Sequence, residues 1–332
     1  MGKATQQPRS FNTIRRSQTK ARAKRRMTQR IVLLAMFATV ALILVSLLVL
    51  GGFMIAGAIK NAHPAPDRGD DKTPPAPVTD VVFIQTTIAS NKVHEGELIL
   101  VNSENEYPNP DNPTGIELLR IHDYINDITN YRPVSKDYEL DATALTALHT
   151  MMSTYREFDS SETFAISSAY RDSTDQASLN SSVRPGYSDH HTGYCVAIQY
   201  SDRSNLESDH WIYQNCYKFG FVIRYPEGKE SITGVSDYRH CLRYVGVAHA
   251  TYMYQNGLCF EEYIELLKNN YSSSAKRLSI AAADGYTYEV YYQPTAGQDV
   301  VTLDVPSNYN YTVSGDNRSG FIVTVKMTAP AA

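Results

Sequence analysis

Cysteine is scarce in this sequence, and the few cysteines are widely spaced. Four occur among 332 residues, at positions 195, 216, 241 and 259, and no two of them form a Cys-x-x-Cys pair. This spacing argues against a zinc knuckle, which needs closely paired thiolates. In an exported protein the four thiols would be permitted to form disulfides.

Acidic residues are missing from the first 30 positions, which hold ten of the 31 Lys and Arg residues. The remaining chain therefore has 21 basic residues against 35 acidic ones. A basic leader before an acidic body is one pattern of nucleic-acid binding. The segment that follows argues against this interpretation, and we expect no nucleic-acid partner.

All charge is missing from residues 31–59, which are rich in Leu, Val, Ala and Ile. About 20 apolar residues are enough to span a bilayer, whereas the apolar core of a cleaved signal peptide is shorter. We predict a single-pass transmembrane helix over 31–59. The positive-inside rule then makes 1–30 a cytoplasmic tail and puts the body outside the cell membrane.

The rest of the chain divides by composition. Residues 60–80 are rich in proline and predict an extended linker. Apolar periodicity predicts helices over 142–158 (with Asp141 as N-cap), 208–219, 251–255 and 260–269. Strands are predicted over 81–86, 98–101, 164–168 and 221–225. After residue 272, alternating segments at 278–282, 286–292, 300–305 and 321–326 predict a small all-β appendage over 273–332.

Linked motifs in the middle of the chain carry the chemistry. They are Ser168-Ala-Tyr170-Arg171 with Gln176, then Pro185-Gly-Tyr-Ser188-Asp-His190-His-Thr-Gly193, and finally Arg243-Tyr-Val-Gly246. In this order they resemble the VanY-type D-alanyl-D-alanine carboxypeptidases, zinc peptidases that trim bacterial cell-wall peptides. The resemblance implies an α+β fold over 81–272, with an antiparallel sheet and flanking helices.

The metal and base positions of that family are altered here. The resemblance assigns the first zinc ligand to His190, but Ala197 stands at the Asp ligand and Cys241 at the second His ligand. Tyr238 stands where the family has the Glu that acts as general base. Tyr, with a pKa near 10, is a poor base at neutral pH. We therefore expect zinc to be absent or weakly bound and the chain to be catalytically inactive.

Two alternatives keep a role for Cys195, which strand alternation puts on the same face as Ala197. His190, Cys195 and Cys241 would form a soft metal site, because thiolates suit zinc. Otherwise Cys195 and Cys241 would pair as a disulfide in place of the metal.

The substrate side matches the family better. By resemblance, Arg171 stabilises the oxyanion and holds the substrate, together with Gln176 and Ser188. The function implied is binding of peptidoglycan stem peptides, or a scaffold role, without hydrolysis. Two alternatives are an active D,D- or L,D-carboxypeptidase with an atypical zinc site, and a structural envelope protein without a peptide pocket.

Four further residues near these motifs are predicted to be non-catalytic. His191 and His240 are expected to be partly exposed on the cleft wall, with a replacement metal ligand as the alternative. His249 is expected to be structural, and Trp211, on the predicted helix 208–219, is expected to be a packing residue and not a ligand-binding one.

Overall fold

The computed structural model of the chain describes residues 81–126, 129–179, 181–200, 206–236 and 238–327. The predicted tail, transmembrane helix and linker lie outside these ranges. Within them, no helix is both long enough and apolar enough to cross a membrane. The described residues belong to one compact unit, residues 78–332.

A five-stranded sheet organises the middle of the chain. Its order is β3-β5-β6-β8-β7. The strands are β3 Tyr131–Pro133, β5 Phe164–Ser168, β6 Cys195–Tyr200, β7 Phe221–Ile223 and β8 Cys241–Tyr244. The pair β3–β5 is parallel and the other neighbours are antiparallel. The predicted antiparallel sheet is therefore a mixed sheet, because β3 joins its edge beside β5 in the same direction.

Helix α1, Ala142–Phe158, covers one face of this sheet. The Asp141 carboxylate accepts hydrogen bonds from the amides of Thr143 and Ala144 at 2.9 and 3.2 Å, which caps the helix as predicted. Its buried positions recur at three- and four-residue spacing and pack against Val196 and Ile198 of β6. Cys195 and Ala197 alternate with these residues and face the opposite side of the sheet.

A second sheet, of order β12-β13-β10-β9, forms the C-terminal part. Its strands are β9 Leu278–Ala281, β10 Thr287–Pro294, β12 Asn310–Gly315 and β13 Gly320–Lys326. The strand β11, Val300–Pro306, pairs instead with β1, Phe83–Ala89, and a third small pair joins β2, Leu118–Arg120, to β4, Glu139–Asp141. Strand β1 begins the compact unit, yet it is hydrogen-bonded to the predicted appendage.

Short helices connect these sheets. They are α2 Ser173–Ser178, α3 Trp211–Asn215, α4 Glu230–Thr233, α5 Val247–Asn256 and α6 Phe260–Asn270. The predicted helix 208–219 begins later, because His210 is its N-cap, and it ends as a 3₁₀ turn, Cys216–Phe219. Helices α5 and α6 share a buried apolar cluster with β10 and β13. The two parts of the chain are thus joined through a common core.

The predicted strand 98–101 is wrong. These four residues are buried but pair with no strand. The Leu98 amide donates to Ser314 Oγ at 2.9 Å, and the Ile99 and Val101 carbonyls accept from Arg243 and Arg224. Side chains therefore satisfy the backbone groups that a neighbouring strand would otherwise satisfy.

Candidate functional site

Three donor atoms meet on the face of the central sheet that is turned away from α1. His190 lies in a 3₁₀ turn, Asp189–Thr192, that ends at Gly193. Gly193 has φ +74°, and a Cβ there would lie 2.7 Å from the side chain of Ile116. Glycine therefore lets the chain turn directly from His190 into β6, which starts at Cys195.

The distances among His190, Cys195 and Cys241 are short. The two Sγ atoms are 2.8 Å apart and lie 3.8 and 3.9 Å from His190 Nε2. His190 Nδ1 faces the Ala169 carbonyl at 2.7 Å. A carbonyl can only accept, so Nδ1 carries the proton and Nε2 presents its lone pair to the sulfurs. All three side chains are buried.

The register of β6 and β8 explains why this cluster differs from the family's ligand set. Ala197 lies opposite Cys241, whereas Cys195 lies opposite Arg243. Cys195 thus contacts Cys241 diagonally across the two strands. It lies two residues before Ala197, on the side of the turn Asp189–Thr192. Burial, followed by the neighbouring Cys241 thiol, raises the pKa of Cys195 well above its ordinary value.

The donors fit a thiophilic ion better than the family's hydrolytic zinc. In the part of the chain that the structure describes, they are the only group of three or more His, Cys, Asp or Glu side chains close enough to share an ion, with donor atoms within 4.8 Å of one another. Zn–S bonds of about 2.3 Å on a tetrahedral ion separate two sulfurs by roughly 3.8 Å. The thiols would need to open by about 1 Å. The carboxylate and second imidazole of the family are missing from the set.

The position of the general base holds Tyr238. Its side chain is 40% exposed, and its ring packs against the His240 ring at a centroid distance of 3.7 Å. Partial burial, and then the Cys241 thiol, raises the pKa of the Tyr238 phenol. The phenol therefore stays protonated at neutral pH and does not accept a proton from water.

Asp189 is next to His190 but is not free to replace the base. Its two carboxylate oxygens accept from Arg224 and Arg243, the first at 2.8 Å. All three side chains are fully enclosed. An acid that is enclosed and held by two guanidinium groups has no open path to a substrate.

The three predicted substrate-binding residues do come together. Arg171 Nε donates to Gln176 Oε1 at 3.0 Å and Nη2 donates to Ser188 Oγ at 3.1 Å, while Nη1 donates to Ser168 Oγ. Gln176 is held in turn by the Val183 carbonyl at 2.8 Å. Arg171 is half-buried, and its guanidinium is fixed by three neighbours.

Sequence reasoning missed a buried charge network behind the site. Arg224 binds Asp189 and also makes a bidentate pair with Glu261 at 2.8 and 3.0 Å. Burial alone would raise the pKa of Glu261, but the Arg224 guanidinium outweighs it and lowers that pKa. The one signal in the sequence was Asp189, the only acidic residue of the motif Pro185–Gly193.

The expected exposure of His191 and His240 is wrong, because both are buried. His191 Nδ1 donates to the Arg171 carbonyl at 2.6 Å and Nε2 accepts from the Gly186 amide at 3.0 Å. Both ring nitrogens are thereby used to shape the cleft wall, and burial lowers the pKa of this imidazole. Neither His191 nor His240 belongs to the group of donors that are close enough to share an ion.

His249 and Trp211 lie where structural residues are expected. His249 is buried, with Nδ1 2.7 Å from the Tyr263 hydroxyl and Nε2 3.0 Å from Thr324 Oγ1, so it connects α5 to α6 and β13. Trp211 packs against the rings of Phe158 and Phe219.

Two solved structures of vancomycin-resistance peptidases match this chain. The vancomycin-resistance D,D-dipeptidase VanXYg, solved with a D-Ala-D-Ala phosphinate analogue, gives a TM-score of 0.60 at 22% identity, covering 74% of this chain and 100% of that one. A variant of the D,D-pentapeptidase VanY from a VanB-type resistance cassette, solved with Zn(II), gives 0.41 at 27% identity, covering 51% and 98%. The first similarity shows a shared fold.

Sequence comparison is more specific. The family model VanY, D-alanyl-D-alanine carboxypeptidase, matches residues 137–247. A D-alanyl-D-alanine carboxypeptidase of Enterococcus faecium is 29% identical over 250 residues, which are 73% of this chain and 78% of that protein. The matched span contains β5, β6, β8, the three donors, Tyr238 and Arg171 with its partners, whereas His249 and Glu261 lie beyond it. The chain therefore contains a VanY-type domain, matched over residues 137–247, and is similar in sequence to D-alanyl-D-alanine carboxypeptidases.

Proposed function

We propose that this protein is a membrane-anchored, extracytoplasmic module that binds peptidoglycan stem peptides without hydrolysing them. The observation that carries the proposal is a contrast between neighbouring residues. Arg171, Gln176 and Ser188 are hydrogen-bonded together, whereas the base position holds Tyr238 and the metal position holds two thiols. The D-alanyl-D-alanine carboxypeptidase relative supplies the ligand class.

Arg171 is suited to hold the carbonyl or carboxylate end of a peptide. A guanidinium presents donors in a fixed fork, and a fork already held by neighbours loses little side-chain entropy on binding. Gln176 and the two serines hold that fork from behind. The peptide's terminal carboxylate would accept hydrogen bonds from the remaining N–H groups of the guanidinium.

Hydrolysis lacks two of its requirements. When zinc is bound in a VanY enzyme with the full ligand set, it supplies an activated water and polarises the scissile carbonyl. In this chain the Cys195 and Cys241 thiolates would cancel the charge of a dication and weaken it as a Lewis acid. Loss of a general base removes a further 10²- to 10⁴-fold, roughly, from the rate.

The alternatives are separated by two measurements on the purified full chain. D-Alanine release from a stem pentapeptide, with zinc content determined on the same sample, tests the active carboxypeptidase. Calorimetry with the pentapeptide tests the structural envelope protein, which would bind no peptide. We expect binding without release. Zinc-dependent turnover that disappears in Arg171→Ala would overturn the proposal.

A restoration experiment tests the assignment of the altered positions. Ala197→Asp with Cys241→His should return the family's ligand set, because residues 197 and 241 are paired across β6 and β8. Activity should return only when Tyr238→Glu is added. A triple variant that binds zinc but stays inactive would show that the scaffold, and not the three side chains, prevents hydrolysis.

A further inference from the structure

We propose that His190, Cys195 and Cys241 form a buried three-donor binding site for one thiophilic d¹⁰ metal ion, Zn(II) or Cu(I). The ion at this site would not take part in hydrolysis, unlike the zinc of the family. The proposed metal site is a function additional to peptide binding and does not depend on it.

The convergence of the three donors is the first support. Each sulfur lies within 4 Å of the same imidazole nitrogen, and that nitrogen presents a lone pair because its partner Nδ1 donates to the Ala169 carbonyl. A metal-bound histidine is commonly oriented in this way by a carbonyl behind it. The orientation of His190 is therefore already that of a ligand.

The chemistry of the donors selects the ion. Thiolate and imidazole ligands suit Cu(I) and Zn(II), whereas Mg(II) and Ca(II) require oxygen ligands. No Asp or Glu belongs to this cluster in the described part of the chain. Binding would release two protons, one from each thiol, and leave two Cys–metal bonds and one His–metal bond.

The His190 nitrogen also distinguishes a metal site from a disulfide. The Sγ atoms of Cys195 and Cys241 are 2.8 Å apart, which is longer than a disulfide bond. If Cys195 and Cys241 formed a disulfide, their S–H groups would be lost, and the buried Nε2 lone pair would face two sulfurs that have no proton to donate. Buried polar atoms without a partner are uncommon in folded proteins. A metal ion satisfies the nitrogen and both sulfurs together.

The cluster is buried, and its two thiolates would neutralise the dication charge that polarises a substrate, so we infer a site that stores or stabilises an ion and does not catalyse. Cys195 and Cys241 are fully buried and His190 nearly so. A catalytic zinc keeps an open coordination position for water and substrate. Here Tyr238 and His240 pack together beside Cys241, at the base position.

Titration of the reduced, metal-free full chain in mild detergent tests the proposal. Co(II), as a coloured substitute for Zn(II), should bind one ion per chain and give thiolate-to-metal charge-transfer absorption. Cu(I) is titrated against a chromophoric chelator, and competition between the two ions identifies the preferred one. Cys195→Ala and Cys241→Ala should abolish the absorption, and Cys216→Ala, a buried cysteine outside the cluster, should retain it.

Thermal unfolding of each variant shows whether it is folded, so that loss of metal binding is not confused with misfolding. The ion should raise the unfolding temperature of the wild type and of Cys216→Ala, but not of Cys195→Ala. Absence of uptake by the reduced chain, or unchanged uptake in Cys195→Ala, would overturn the proposal. Pentapeptide calorimetry on the same samples shows whether peptide binding persists, so failure of the metal site and failure of the proposed function are distinguishable.

Discussion

At the scale of single residues, Arg171 is the side chain on which the proposed peptide binding depends most. Its three donors are fixed by Gln176, Ser188 and Ser168, an arrangement that a surface salt bridge would not need. The same guanidinium would carry both peptide binding here and oxyanion stabilisation in an active relative. Its removal should therefore affect the ligand more than the fold.

We predict that Arg171→Ala weakens stem-pentapeptide binding by about 10- to 100-fold, because a charge-assisted hydrogen bond contributes roughly 1.5–3 kcal/mol. Arg171→Lys should be intermediate, since it keeps the charge and loses the fork. Isothermal calorimetry gives the affinities. The control is Arg318→Ala, which removes a half-exposed arginine of the C-terminal part. Equal affinity for all four proteins would remove Arg171 from the binding site.

His249 predicts a pH dependence of stability. Burial lowers its pKa to about 3, whereas an unfolded His has a pKa near 6.5. Below pH ~6.5 the unfolded chain gains a proton that the folded chain does not, so stability is lost as pH falls toward ~3. This group contributes a slope of about 1.4 kcal/mol per pH unit in that window.

Urea unfolding at several pH values checks this slope. His249→Gln should flatten it between about pH 6 and 4, and His122→Gln, at an exposed position, should leave it unchanged. An unaltered slope in His249→Gln would show that His249 is protonated in the folded protein as well.

At the scale of elements, capping residues and apolar periodicity predicted the helices that local interactions stabilise. Helix α1 was predicted because Asp141 caps it and its apolar residues recur with helical period, and both features lie within the helix itself. Strand β12 was missed because Asn, Ser and Gly border its short run of Tyr311, Thr312 and Val313, which alone is too short a signal. It forms at the edge of its sheet by pairing only with β13.

Segment 98–101 shows where local signals mislead. Its apolar residues are those of a strand, but its carbonyls are satisfied by Arg224 and Arg243, more than 100 positions away. The apolar periodicity of a segment cannot predict a hydrogen-bond partner so distant along the chain. The same is true of the buried network, because Asp189, Arg224, Arg243 and Glu261 each look like ordinary charged residues until the fold places them together.

We predict that Arg243→Met destabilises the fold by about 3–5 kcal/mol, because it removes one partner of a buried ion pair. Asp189 would keep only Arg224, and the carbonyls of Glu97 and Ile99 would lose the donor they share. The shift of the urea midpoint measures the cost. Arg318→Ala, whose ion pair with Glu265 is exposed, should cost about 1 kcal/mol or less. Similar shifts for both variants would contradict a structural role for the network.

At the scale of the whole molecule, the motifs predicted which residues lie close together, but not how deeply they are buried. Arg171, Gln176 and Ser188 meet as the resemblance implied, and Cys195 joins His190 and Cys241 because strand alternation is a strict rule. The burial of His191 and His240 depends on packing between segments far apart in sequence. For the same reason β1 could not be assigned to β11 from sequence alone.

The membrane anchor is a prediction at this scale. If residues 31–59 span the bilayer, the full chain should remain with the membrane fraction in high salt and leave it only with detergent. Deletion of 31–59 should release it. Cell fractionation with immunoblotting makes the measurement. Recovery of a shortened chain from the soluble fraction would instead indicate a cleaved signal peptide.

D-Alanine release by the full chain tests the central claim most directly. A stem pentapeptide is incubated with the protein and stoichiometric zinc, and free D-alanine is measured beside calorimetric binding on the same sample. We predict binding that depends on Arg171 and release no faster than the background without protein. Release that exceeds the background and is lost in both Arg171→Ala and Cys241→Ala would contradict a non-hydrolytic function.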